Sequence, residues 1–256
     1  MSFFNKVFAS VGIGAAKVDT RLHDVNVRAG EEVQGIVAVS GGKTDQEIAE
    51  IYLSVMTEYI KEADDRKYTQ SSAVTKVKIN EPFVIMANEH KEIPFRFKLP
   101  YDTPITYGQS KIWIHTGLDI KNAVDPTDQD AIHVHPNPIQ QKLLDELGAL
   151  GFQLRKAQNE AAPARLRRRL PFVQEFEFYP YSGPFRGKLD ELEIVFTDVA
   201  ENRAEMVMEI DRKARGLSGL FSEMLETDET SVRLAVTSQD FPNVKTMLTQ
   251  TIQRFS

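Results

Sequence analysis

Arg28-Ala29-Gly30-Glu31-Glu32 reads as a turn, and Val33-Gln34-Gly35-Ile36-Val37-Ala38-Val39, which follows it, reads as a strand. Val33, Val37 and Val39 fall on alternate positions, the period of a pleated chain with one buried face, and Gly41-Gly42 ends the run. The same grammar extends outward from it. Ile51, Leu53, Val55, Thr57 and Tyr59 alternate with Tyr52, Ser54, Met56, Glu58 and Ile60, and further strands are expected at residues 73–84, 91–99 and 110–119. These segments succeed one another through turn chemistry such as Pro100-Tyr101-Asp102-Thr103-Pro104, with no helical crossovers that would allow parallel pairing. An antiparallel β-sandwich is therefore expected from Lys17 to His135.

The polar, proline-flanked run 124–138 reads as a linker with a short strand-like piece at 131–134, and it sets a domain boundary after residue 136. The two expected domains are 1–136 and 137–256. Their base usage differs: 11 Lys and 4 Arg in the first, 5 Lys and 11 Arg in the second. The second opens with a helix carrying Ile139, Leu143, Leu147 and Leu150 on one stripe, with Asn137 as N-cap and Pro138 in the first turn. Strands are expected at 172–179, 189–198, 204–213 and 232–236. Their glutamates, among them Glu175, Glu177, Glu191, Glu193, Glu205 and Glu209, read as a solvated face. Short helices are expected at Leu217–Leu225, along the stripe from Val244 to Phe255, and near the amino terminus through Phe3, Phe4, Val7, Phe8 and Val11. The fold class is mainly β: two tandem antiparallel β-sandwich domains with a few short helices.

The chain has 256 residues, 41% hydrophobic and 27% charged, which is ordinary for folded soluble proteins. With 31 basic against 37 acidic residues its net charge is -6, against a protein built to grip nucleic-acid backbones. Absence of cysteine excludes disulfides, thiolate nucleophiles and cysteine metal sites, and fits a reducing cytoplasm. No stretch of eighteen apolar residues spans a bilayer, and the amino terminus is not a signal peptide.

Motifs for catalysis are lacking. Gly12-Ile13-Gly14 is half of a dinucleotide fingerprint without its βαβ context, and neither a P-loop nor G-x-S-x-G occurs. His133 and His135, two apart, share one face of any strand, as a metal would require. No H-E-x-x-H accompanies them, and they are expected to be solvated linker histidines beside Asp125, Asp128 and Asp130. No cofactor, catalytic residue or metal site is expected, and a His-dependent metal hydrolase is the least favoured reading.

The sharpest charge feature is Arg165, Arg167, Arg168 and Arg169, between Pro163 and Pro171. Residues 155–170 hold six basic and one acidic side chain. Guanidinium forks suit carboxylates and phosphates, so these four are the candidate contact for an anionic partner or headgroup, with a solvated loop as the plain alternative. A second candidate membrane contact is the Phe3, Phe4 and Phe8 stripe.

Residues 28–37, Glu92-Ile93-Pro94-Phe95-Arg96-Phe97-Lys98-Leu99-Pro100 and Lys111-Ile112-Trp113-Ile114-His115 resemble, in order and spacing, the amino-terminal domain of the arrestin superfamily. With Tyr107-Gly108, the turn Pro180-Tyr181-Ser182-Gly183-Pro184-Phe185 and the ending Lys245-Thr246-Met247-Leu248, the whole chain is similar to the stage-zero sporulation control protein M family of Bacillus-type bacteria. The resemblance implies two arrestin-like β-sandwich domains, a cytoplasmic location, no enzymatic activity and a part in controlling sporulation. The expected role is a regulatory scaffold or adaptor for other proteins of the sporulation or division machinery, engaged at sheet edges. Self-association is left open, and a peripheral membrane or anionic-ligand-binding module is the alternative.

Overall fold

The computed structural model describes residues 15–63, 66–121, 124–211 and 231–255. The helices expected at the amino terminus and at Leu217–Leu225, and the Gly12-Ile13-Gly14 motif, lie outside the described residues. The chain runs β1 (Lys17–Leu22), β2 (Asn26–Arg28), β3 (Glu32–Ser40), β4 (Gln46–Ala63), β5 (Arg66–Lys78), β6 (Phe83–Ile85), β7 (His90–Lys98), β8 (Ile112–Ile120), β9 (Thr127–His135) and α1 (Pro138–Ala149). It continues through β10 (Phe152–Ala161), β11 (Phe172–Pro180), β12 (Glu191–Ala200), β13 (Arg203–Asp211), β14 (Ser231–Thr237) and α2 (Val244–Gln253). The protein is mainly β.

Two compact units emerge. Of the described residues, the first comprises those within 15–57, 73–100 and 112–134; the second comprises those within 58–72, 101–111, 135–211 and 231–255. One boundary after residue 136 does not anticipate the two early stretches that join the second unit.

In the first unit β3 lies between β1 and β7, antiparallel to both. Its Val33, Val37 and Val39 are buried, as the alternation requires. Gly35 is needed for close approach: a Cβ there would collide with the Arg21 carbonyl and press on the Phe95 ring. The early part of β4 pairs with β8 and β8 with β9. The two sheets meet where the Thr20 and Thr116 hydroxyls share a buried hydrogen bond of 2.6 Å. The run expected as a linker is the nine-residue strand β9. Its alternation is hidden because only Ile132 and Val134 are buried, while Asp128 accepts from the Thr20 N–H and Asp125 from the Ile120 N–H.

In the second unit β10, β11, β12, β13 and β14 form an antiparallel ladder in chain order. One parallel pair, Glu160 with Ile60, joins β10 to the end of β4. Strand β10 is absent from the strands expected above, because Gln153, Lys156, Gln158 and Asn159 mask its period. Phe176, Phe178, Leu192, Ile194, Met206, Met208 and Ile210 build the core on one face, against Ile139, Leu143 and Leu147 of α1 and Val244, Leu248 and Ile252 of α2. Helix α1 begins where expected: Asn137 Oδ1 accepts from the Gln140 N–H at 2.8 Å, and Gln140 Oε1 accepts from the Asn137 N–H at 3.1 Å. It ends at Gly151, whose φ of +92° and close approach to the Ser182 carbonyl leave no room for a side chain.

Asn137 is buried and its Nδ2 also donates to the Ala200 carbonyl. Asn137→Ala should therefore destabilise the protein by about 1–2 kcal/mol, read as a lowered urea midpoint by circular dichroism, whereas Asn137→Asp, which keeps the cap, should lose less.

Candidate functional site

The four arginines sit in the connection between β10 and β11, residues 162–171. Its base is closed by the Ala161–Phe172 pair and by the Ala162 N–H donating to the Pro171 carbonyl at 2.9 Å. Pro163 pre-sets a turn, in which Leu166 and Arg167 N–H groups donate to its carbonyl at 3.0 and 2.9 Å. Leu166 is half-buried and Leu170 buried, so the loop is tied to the unit by its apolar residues, and Arg165, Arg167, Arg168 and Arg169 are exposed. Arg169 leaves the group: its Nη2 and Nε donate to the two Asp102 carboxylate oxygens at 2.6 and 3.1 Å, a bidentate fork. Among the described residues, Arg165, Arg167 and Arg168 have no carboxylate within 4 Å. Arg155 and Lys156 belong to strand β10 and not to this loop.

Beside the loop the sheet opens. The register of β11 with β12 ends at Glu175 opposite Val195, although β11 starts at Phe172 and β12 continues to Ala200 beside β13. A bulge between Phe196 and Asp198 displaces β12 further. In the gap lies a half-open cavity of about 70 Å³, floored by Leu166, Leu170, Phe172, Phe176 and Phe196. A wider groove of about 620 Å³ lies outside it, lined by Arg168, Arg169, Arg203, Asp102, Asp198 and Glu205. Within that groove Arg203 pairs with Asp198 and, at 3.7 Å, with Glu205.

The glutamates expected to be solvated are the main correction. Glu175, Glu177, Glu191, Glu193 and Glu209 are buried, Glu193 to 1% exposure. Glu177, Glu193 and Glu209 stand opposite one another across β11, β12 and β13. Cross-strand neighbours on one face are about 5 Å apart, so three acidic side chains form a row. Arg155 donates to Glu177 at 2.9 Å and lies 3.9 Å from Glu191. Neither carboxyl oxygen of Glu193 has a hydrogen-bond partner among the described residues. Burial, then the Glu175, Glu191, Glu209 and Glu177 charges, push Glu193 up to about 9. Burial and the Glu160 charge push Glu175 up to about 8, against the opposing pull of Lys156. Alternation marks a second face in a sequence; it does not tell whether that face is wet.

His133 and His135 are strand residues of β9, in place of the expected linker, while His115 Nδ1 lies 3.5 Å from Gln129 Nε2. Among the described residues no three His, Asp or Glu side chains converge as a metal-ligand set. Asp130, raised to about 6 by burial and by the Asp128 charge, shares β9 with them.

Residues 4–214 match the model of the family described as SpoOM protein. The sporulation-control protein spo0M of Bacillus subtilis (strain 168) is 43% identical over 245 residues, covering 96% of this chain and 94% of the relative. The crystal structure of Spo0M, sporulation control protein, from Bacillus subtilis superposes with a TM-score of 0.88 at 40% identity, covering 95% of this chain and all of that one.

The buried carboxyls fix a pH dependence opposite in sign to that of paired surface acids. The folded form keeps protons on Glu175 and Glu193 that the unfolded chain releases near the ordinary value of 4.5. Their contribution to stability is therefore greatest below that value and falls as pH rises toward 8 and 9. Glu193→Gln, neutral at every pH, should raise the urea midpoint at pH 8.5 and flatten its decline from pH 5.5; an unchanged midpoint at both would refute the assignment.

Proposed function

This chain belongs to the SpoOM protein family, and we propose that it is a non-enzymatic adaptor in the control of sporulation, acting by binding other proteins through an anion contact at Arg165, Arg167 and Arg168. The relative's name, sporulation-control protein, supports a regulatory role in sporulation. The observation that carries the contact is the group of three exposed guanidinium groups without ion pairs among the described residues, held on a proline-bounded turn beside a split in the sheet. A guanidinium already engaged, as Arg169 is by Asp102, must lose that partner before it meets another. Arg165, Arg167 and Arg168 carry no such cost. Partners are proteins of the sporulation or division machinery, and the reading sets the chain in the cytoplasm, with neither cofactor nor nucleic acid. Among the described residues no helix is long and apolar enough to cross a membrane.

Complementation tests the reading. In a spore-forming host lacking its own copy, the wild-type chain should restore sporulation, and a variant with Arg165, Arg167 and Arg168 all replaced by Ser should not. Removing three guanidinium donors at once lowers affinity for an anionic partner on the order of tenfold or more, so crosslinked partner recovered per molecule of adaptor should fall by a similar factor. Lys replacements keep the charge and should retain part of the effect. Full complementation by the Ser variant at equal protein level would sink the proposal.

A further inference from the structure

We infer that the split between β11 and β12 receives an extended acidic peptide segment of a partner protein, with one aliphatic side chain seated in the inner cavity and its carboxylates against the arginine turn. The inference rests on the anion-contact reading above and names the chemistry of the partner. Three independent features converge on it.

The first is backbone. Beyond Val195 the edge of β12 that faces β11 has no register partner there among the described residues, although residues 172–174 of β11 continue past Glu175 with only their β10 edge paired. That edge over residues 196–199, up to the Ala200 carbonyl that Asn137 Nδ2 engages, offers N–H and C=O groups to which an extended segment adds.

The second is shape. The inner cavity is floored by five apolar side chains and opens past Thr197, Asp198, Val199 and Arg168 into the outer groove, whose lining includes the same four residues. An apolar cavity of about 150 Å³ accepts a benzene ring; about 70 Å³ suits one small branched aliphatic group and excludes an aromatic ring. A free phosphate or a lipid headgroup would leave the apolar floor unfilled.

The third is charge. Within the groove Asp102 is matched by Arg169, and Asp198 and Glu205 by Arg203. Arg168 on the shared rim brings the groove's own lining to neutrality, and Arg165 and Arg167 on the same turn are the surplus, so the groove and turn together favour an acidic occupant.

The probe is a fluorescein-labelled peptide with a central valine flanked on each side by four glutamates, titrated by anisotropy against the full chain. Saturable binding is expected. It should weaken about tenfold when the central valine becomes serine, and at least about tenfold when Arg165, Arg167 and Arg168 become Ser. Val199→Phe, which narrows the shared mouth, should weaken the valine peptide and leave the serine peptide unchanged. Should that variant unfold, the peptide pair on the wild-type chain still decides.

Equal binding of the valine and serine peptides overturns the inference. If the arginine variant still loses both peptides, the anion contact stands without the cavity. If neither the arginines nor the valine matters, both readings fall. Competition by phosphatidylglycerol vesicles or by inorganic pyrophosphate at the peptide's own affinity overturns the inference as well, since neither carries an extended backbone.

Discussion

The hydrogen-bond ladder between β11 and β12 stops at Val195, and much of the second unit is arranged around that stop. A pleated pair held to its full length would bring Phe172 and Val173 beside Thr197 and Asp198 and close the sheet. Instead the early residues of β11 are paired on their β10 edge alone, and β12 runs on beside β13 through a bulge at Phe196–Asp198. The gap then has to be lined by something. Apolar residues of the 162–171 connection, Leu166 and Leu170, supply part of its floor, and Gln174 supplies a brace. Its side chain accepts from the Ile105 N–H at 2.8 Å and donates to the Ile105 carbonyl at 2.7 Å. A cavity thus framed by paired backbone and buried side chains is a lasting feature of the fold.

The same strands carry the opposite problem on their other face. Strand β12 gives Leu192 and Ile194 to the core beneath α1 and α2, so the pleat forces Glu191 and Glu193 to the far side. Three acidic residues in a cross-strand row cannot all be charged in a dry place, because desolvation and mutual repulsion act in the same direction. The row accommodates this by protonation at Glu193 and by the ion pair of Arg155 with Glu177. Removing Arg155 would leave a buried charge behind, which is the costly way to lose a salt bridge.

Period and punctuation are legible in the chain; context is not. Val33, Val37 and Val39 announce β3, and Asn137 with Gln140 announces the start of α1, because both signals are local: a face and a cap. Strands β9 and β10 escape such a reading because strands with polar residues at most positions lack the apolar alternation by which strands are recognised. The buried glutamates mislead for a related reason. Alternation of Leu192 and Ile194 with Glu191 and Glu193 reports two faces, and only the packed structure says that both are covered. The arginine cluster is visible as composition, yet its division into one engaged side chain and three without an ion pair among the described residues depends on Asp102, sixty-seven positions upstream of Arg169.

That division follows from where each cation leaves the sheet. A basic side chain on the strand face lies within reach of the acidic row, as Arg155 does, and is neutralised by it. Arg169 stands one residue before buried Leu170, low enough for its fork to find Asp102. Arg165, Arg167 and Arg168, beyond the turn that Pro163 opens, have no carboxylate within 4 Å among the described residues, although Arg168 shares the groove with Asp198. A connection spanning 162–171 is longer than a hairpin needs. Here its length holds three positive charges outside ion-pair reach of the described carboxylates and sets Arg168 at the mouth of the gap in the ladder.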